Sequence, residues 1–146
     1  MQVHALVVDD SGIMRKMVMR SLMEAKLCNT ILFTEAKDGA EGLALFNPET
    51  MHVVFADWNM PNMNGLEMVK EIRARHPKHV PVVMITTEGT MQRIDEALNQ
   101  AGVDSYIIKP FTPDVIRQKL QPLFDKIVQQ EQKPEGFFTK LAAKMA

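Results

Sequence analysis

A single cysteine, Cys28, stands among 146 residues, so no internal disulfide can form, which fits a reducing compartment and leaves the thiol as a small buried or half-buried side chain. No long apolar run is present. The opening segment MQVHALVVDD meets two acids within ten residues, which makes it neither a signal peptide nor a membrane span. An excess of one charge is missing too: the net charge is −1, so no basic field exists to hold nucleic acid or an anionic membrane. No Gly-rich or Ser/Thr-rich phosphate loop follows the first apolar run, which argues against a flavodoxin-like cofactor binder. Repeats and low-complexity segments are absent. These exclusions leave a cytoplasmic monomer whose partners are other proteins.

What is present has an ordinary balance, 46% apolar and 24% charged residues, sufficient for a packed core. The length predicts one domain, residues 1–130. Residues 131–146 read as a polar linker and a short amphipathic tail, the change of composition starting at Gln129. Apolar runs over 4–9, 30–34, 53–56, 80–86 and 105–109 predict five strands. Between them lie helical patterns. Ser11 caps a first helix with Met14, Met17, Val18, Leu22 and Ala25 inward; residues 39–46 and 65–75 form two more. Met91, Ile94, Leu98 and Ala101 make the stripe of a fourth, with Gly102 as its C-terminal cap. Thr112 and Pro113 open a fifth, in which Pro122 predicts a kink and not a stop, because the apolar stripe continues in phase beyond it. Strict alternation of buried strands and helices predicts an α/β doubly wound parallel sheet with helices on both faces.

In that architecture chemistry sits at the C-terminal ends of the strands. Asp9 and Asp10 close strand one, Asp57 strand three, Thr86 strand four and Lys109 strand five, so all five fall on one edge. Three carboxylates gathered there repel one another by roughly 4 kcal/mol per pair at ~4 Å and an effective dielectric near 20. Such a cluster calls for a cation, and a few hard oxygens with room for water suit Mg²⁺ better than a closed Ca²⁺ cage or a zinc site. With a metal and Lys109 beside it, Asp57 can act as a carboxylate nucleophile toward phosphorus, and phosphoryl transfer asks mainly for positioning and charge neutralisation. Read singly, each residue is a strand-end cap or a surface charge; four strand ends carrying this set together point to a site.

The set VVDD, DWNMPNMNG, MITTEG and YIIKPF resembles the response-regulator receiver domain, in particular its single-domain chemotaxis members, over residues 3–130. The resemblance implies a flavodoxin-like sheet of order 2-1-3-4-5 with five helices, an order taken from the family, which is itself a standing example of it, and not from the spacing. It further implies phosphorylation of Asp57, direct Mg²⁺ ligation by Asp10, Asp57 and the Asn59 backbone carbonyl, and a water-mediated role for Asp9. Lys109 and Thr86 would hold the phosphoryl oxygens, and Tyr106 would swing inward when Thr86 moves. Asn59 and Glu88 match the pair that tunes dephosphorylation. Implied partners are a CheA-like histidine kinase, a FliM-like flagellar motor switch protein and a phosphatase. The chain would be a phosphoacceptor with Mg²⁺-dependent autophosphorylation and autodephosphorylation, not an enzyme in the ordinary sense. A receiver acting as a phosphorelay shuttle or adaptor outside motility shares every site residue. A phosphomonoester hydrolase resembling haloacid dehalogenases fits poorly, because those place the nucleophile on strand one as Asp-x-Asp and enclose substrate under a cap. Two departures from the family are Thr87, expected to narrow access to the phosphate, and Asn64, which removes a charge from an expected exposed turn. In the tail, Phe137, Leu141 and Met145 lie four apart with Lys140 and Lys144 off that face, a helical turn or two that is too short to stand alone in water.

Overall fold

The computed structural model describes residues 2–131. Five parallel strands alternate with helices: β1 (Gln2–Val8), α1 (Gly12–Glu24), β2 (Thr30–Ala36), α2 (Gly39–Leu45), β3 (Val53–Ala56), α3 (Gly65–Arg75), β4 (Val82–Thr86), α4 (Met91–Asp95, continuing as a π-helical segment Glu96–Ala101), β5 (Ser105–Ile108) and α5 (Pro113–Glu131). The sheet order is β2-β1-β3-β4-β5, as the resemblance implies. The linker and tail expected over 132–146 lie outside the described residues, and α5 runs through Gln129 and Gln130 to Glu131, past the point where composition suggested the linker begins. Its polar last turn continues the helix because the preceding stripe, ending at the buried Ile127, already anchors it.

Alternation along the strands divides the core in two. Leu6, Val8, Val54, Val82 and Met84 face α2, α3 and α4, where Leu66, Val69, Ile72, Ala97 and Ala101 cover them. Ala5, Val7, Val53, Phe55, Val83 and Ile107 face α1 and α5, meeting Val18, Leu22, Ile116, Leu120 and Phe124. The rings of Phe55 and Phe124 stack at 6.4 Å between centroids. Each large side chain buried this way contributes about 1.5–3 kcal/mol.

Helix starts are closed by side-chain caps, and Ser11 is the one predicted among the following four. Ser11, Asp38, Asn64 and Thr90 each accept the backbone N–H three residues on and so cap α1, α2, α3 and α4. Asn64 is therefore a helix cap and half-buried, not an exposed turn residue, and Asn caps as well as Asp. Gly102 closes α4 at φ 82°, where glycine is at ease. α5 passes through Pro122 without stopping.

Three inward placements fail. Met17 and Met91, expected inward, are 53% and 80% exposed, and Leu98 is also exposed. The buried face of α4 is made by Ala97 and Ala101 with Ile94 half-buried, because the helix packs closely against α3 and the sheet, where small side chains fit. At the N-terminal edge of the sheet Arg73 reaches from α3 to the Val80 carbonyl (2.8 Å), the Gly102 carbonyl (3.0 Å) and Asp104 (2.9 Å). That clasp ties α3 to β4 and β5 on the side away from the acidic cluster.

Candidate functional site

The strand ladder continues beyond the strand ends and sets the site. Asp9 N–H donates to the Ala36 carbonyl (3.1 Å), Asp57 N–H to Val8 (3.0 Å) and Lys109 N–H to Thr86 (2.8 Å). Each reactive residue is thus the first after its strand, yet its backbone is still held by the neighbouring strand. Asp9, Asp10, Asp57, Thr86 and Lys109 all stand on this one edge, as the sequence predicts. The carboxylate oxygens of Asp9, Asp10 and Asp57 lie within 4.8 Å of one another. Such a group of hard oxygens, one buried, one half-buried and one exposed, fits a divalent cation with room for further ligands.

Lys109 supplies the positive charge. Its Nζ is 3.0 Å from Asp9 Oδ2 and 3.7 Å from Asp57 Oδ2, with its side chain only 8% exposed. Asp57 Oδ1 accepts the Trp58 N–H (2.7 Å). Burial pushes the Asp57 carboxyl above its ordinary range; the Thr86 hydroxyl bonded to it and the Lys109 charge oppose that rise, and the Asp9 charge adds to it. A metal-free site therefore holds Asp57 as a reluctant anion, and added positive charge makes it a ready one.

Thr86 is fully buried and turned onto Asp57, and its Oγ also accepts the Glu88 N–H (3.3 Å). Tyr106 is 4% exposed, its hydroxyl donating to the Glu88 carbonyl. Burial and the Glu88 and Asp57 charges push the phenol up to about 12, so it stays a donor at any physiological pH. Asn59 and Glu88 meet side chain to side chain at the mouth, Nδ2 to Oε1 at 2.8 Å. Thr87 is exposed.

Several neighbours escaped the sequence reading. Arg15 donates to the Asp9 carbonyl (2.6 Å) and pairs with Glu35 (2.9 Å), closing the β2 side of the cluster. Ser11 N–H donates to Asp9 Oδ1 (2.9 Å). The Arg93 guanidinium lies 5.1 Å over the ring of Trp58, which is itself buried, and joins α4 to the loop that follows Asp57. Gly65 is forced: a Cβ there would stand 2.1 Å from the Asp57 carbonyl oxygen. A glycine in the loop after an apolar strand was the available signal for that close approach; the arginine contacts carry none.

The chain is similar to known proteins. The chain is 37% identical to the chemotaxis protein CheY of Pseudomonas aeruginosa over 84% of its length and 96% of the relative's. It is 42% identical to CheY-3 of Vibrio cholerae, over 84% of this chain and 92% of that one. The solved structure of Vibrio cholerae CheY4 matches with a TM-score of 0.71 at 33% identity, covering 84% of this chain and 98% of that one. Residues 5–121 match the model of the response regulator receiver domain, and the protein belongs to that family.

Proposed function

We propose that this chain is a chemotaxis response regulator that accepts a phosphoryl group on Asp57 from a histidine kinase and signals by a change of surface. The observation that supports it most is the convergence of Asp57, Lys109 and Thr86 with two further carboxylates at the ends of four strands. In the transfer, an Asp57 carboxylate oxygen attacks phosphorus in line while the phosphorus bond to the donor's nitrogen or oxygen breaks, and the leaving group takes the electron pair. Lys109 and Thr86 reach the phosphoryl oxygens as charge develops on them. Asp10, Asp57 and the Asn59 backbone carbonyl would hold Mg²⁺ directly, with Asp9 acting through water; the ion supplies charge neutralisation and alignment when bound. Hydrolysis brings water past Asn59 and Glu88, whose side chains stand across the entrance, and the aspartyl phosphate is expected to last far less than hours.

Tyr106 and Thr86 are both buried, with the phenol donating to the Glu88 carbonyl, the inward arrangement that the resemblance couples to phosphorylation. Phosphate on Asp57 would favour this arrangement over one with Tyr106 turned outward. The affected face comprises α4, β5 and α5, where Met91, Leu98 and Ile108 are exposed, and the partner read there would be a flagellar motor switch protein. The chain would work in the cytoplasm as a monomer; no helix of the described residues is long and apolar enough to cross a membrane. Its chemistry is stoichiometric, since the acceptor is its own side chain.

The test is Trp58 fluorescence with Mg²⁺ and acetyl phosphate or beryllofluoride. A change in wild type that is lost in Asp57→Asn supports the chemistry; no change, with no labile adduct on the Asp57 peptide by mass spectrometry, refutes it. Capture of motor switch protein only with beryllofluoride supports the pathway, and equal capture without it points to an adaptor role elsewhere.

A further inference from the structure

The loop from Trp58 to Asn64 is closed at its base, where Gly65 N–H donates to the Trp58 carbonyl (2.9 Å). Its outer half is held by something else. Asn62, at φ 67°, donates its amide to Asp38 Oδ2 (2.8 Å), while Asp38 Oδ1 caps α2 by accepting the Glu41 N–H (2.8 Å). Next door, Gly39 N–H donates to the Met63 carbonyl (3.0 Å), and a Cβ on Gly39 would stand 2.4 Å from that oxygen. The turn before α2 is therefore seated against the loop after the phosphoacceptor.

Capping alone does not require a carboxylate; serine or threonine would serve. Asp38 is 4% exposed, and the Glu41 N–H, then Asn62, hold its carboxyl below the ordinary range. The double duty needs a planar side chain with two hydrogen-bonding atoms, which serine and threonine lack: one atom ends a helix and the other fixes a loop.

We infer that Asp38 is a positioning residue, holding the loop through Asn62 in the shape at which Asn59 completes the cation site beside Asp57. This rests on the Mg²⁺ reading above, and it adds α2, an element with no residue in the site, to what sets metal affinity.

Two variants isolate the contact. Asn62→Gly keeps a residue at ease with the positive φ, and Asp38→Ser keeps the cap. Full-length proteins are titrated with Mg²⁺ by Trp58 fluorescence, alongside thermal melts. In each variant the Kd for Mg²⁺ is expected to rise about tenfold, the size typical of lost outer contacts to metal ligands. The double variant should be no weaker than either single, because both remove one contact. Asp38→Asn, whose amide can still serve both neighbours once Asn62 turns its own over, should recover most of the affinity. Autophosphorylation by acetyl phosphate should return toward wild type at saturating Mg²⁺. Lower melting with unchanged Mg²⁺ affinity in both single variants would overturn the inference and leave Asp38 a helix cap. A wild type that shows no Mg²⁺ response would overturn the metal reading itself and this inference with it.

Discussion

Replacing Asp57 should make the metal-free protein more stable. In Asp57→Asn the repulsion of Asp57 by Asp9 and Asp10 disappears; with all three sets of oxygens within 4.8 Å, each pair is worth ~3.5 kcal/mol at an effective dielectric near 20. The attraction to Lys109 at 3.7 Å disappears as well, ~4.5 kcal/mol on the same footing. On this footing the two repulsions exceed the one attraction by about 2 kcal/mol, and burial of the charge, the first cause of the raised Asp57 pKa, acts in the same direction; for a chain of this length about 2 kcal/mol raises the melting temperature by about 4–8 °C. The pH dependence has a definite sign. Burial raises the folded Asp57 above 3.8, so the folded protein holds that proton more tightly than the unfolded chain does. Ionised Asp57 then costs stability at every pH above its folded value, and the cost fades as pH falls through that value toward 3.8. In EDTA the gap between variant and wild type should be widest at neutral pH and close on acidification. Mg²⁺ at about ten times its Kd should return ~1.4 kcal/mol to the wild type and much less to the variant. Scanning calorimetry or circular dichroism melts decide it: a variant that melts at or below wild type in EDTA at pH 7 refutes the electrostatic account of the cluster.

Gly65→Ala should destabilise by about 3 kcal/mol or more, since its Cβ meets backbone that cannot step aside, and denaturant unfolding would show it; a neutral result would mean the loop relaxes freely. Arg93→Met keeps an apolar stem over Trp58 but removes the charge, so binding of Mg²⁺ should persist while stability falls by about 0.5–1 kcal/mol and Trp58 emission shifts. Arg73→Met strips partners from Asp104 and two carbonyls at the opposite edge, costing about 2–3 kcal/mol with an unchanged rate of phosphorylation by acetyl phosphate under conditions where the variant is folded.

The site was legible because its members stand at strand ends, and a continuous apolar run locates its own end to within a residue. Asp57 after Val53–Ala56 and Lys109 after Ser105–Ile108 show this. Helix faces were harder to read. On α4 the stripe placed Ala101 and Ile94 rightly but also named Met91 and Leu98, whereas close packing selected Ala97, and a scale that ranks methionine above alanine cannot see how near the neighbouring helix lies. Met17 on α1 misled because Val18 and Leu22 set the face that meets the sheet, and Met17 falls outside it. Contacts such as Arg93 on Trp58, Arg15 on Asp9 and Asn62 on Asp38 join polar residues of separate loops and helices, and their identities carry no period or spacing. They follow only once the strands are in order and the helices are laid on the sheet.

The outer rim of β5 has a bearing on how messages leave the molecule. Lys119, from α5, donates its ammonium to the Tyr106 carbonyl at 3.0 Å, so one of the few backbone acceptors on that margin is already taken. A visiting peptide that tried to extend the sheet as a sixth ribbon would first have to evict a cation. Recognition at this border is thereby steered toward side chains such as Ile108, which would follow a rotation of the Tyr106 ring, if the proposed switch operates, in a way that a fixed backbone cannot.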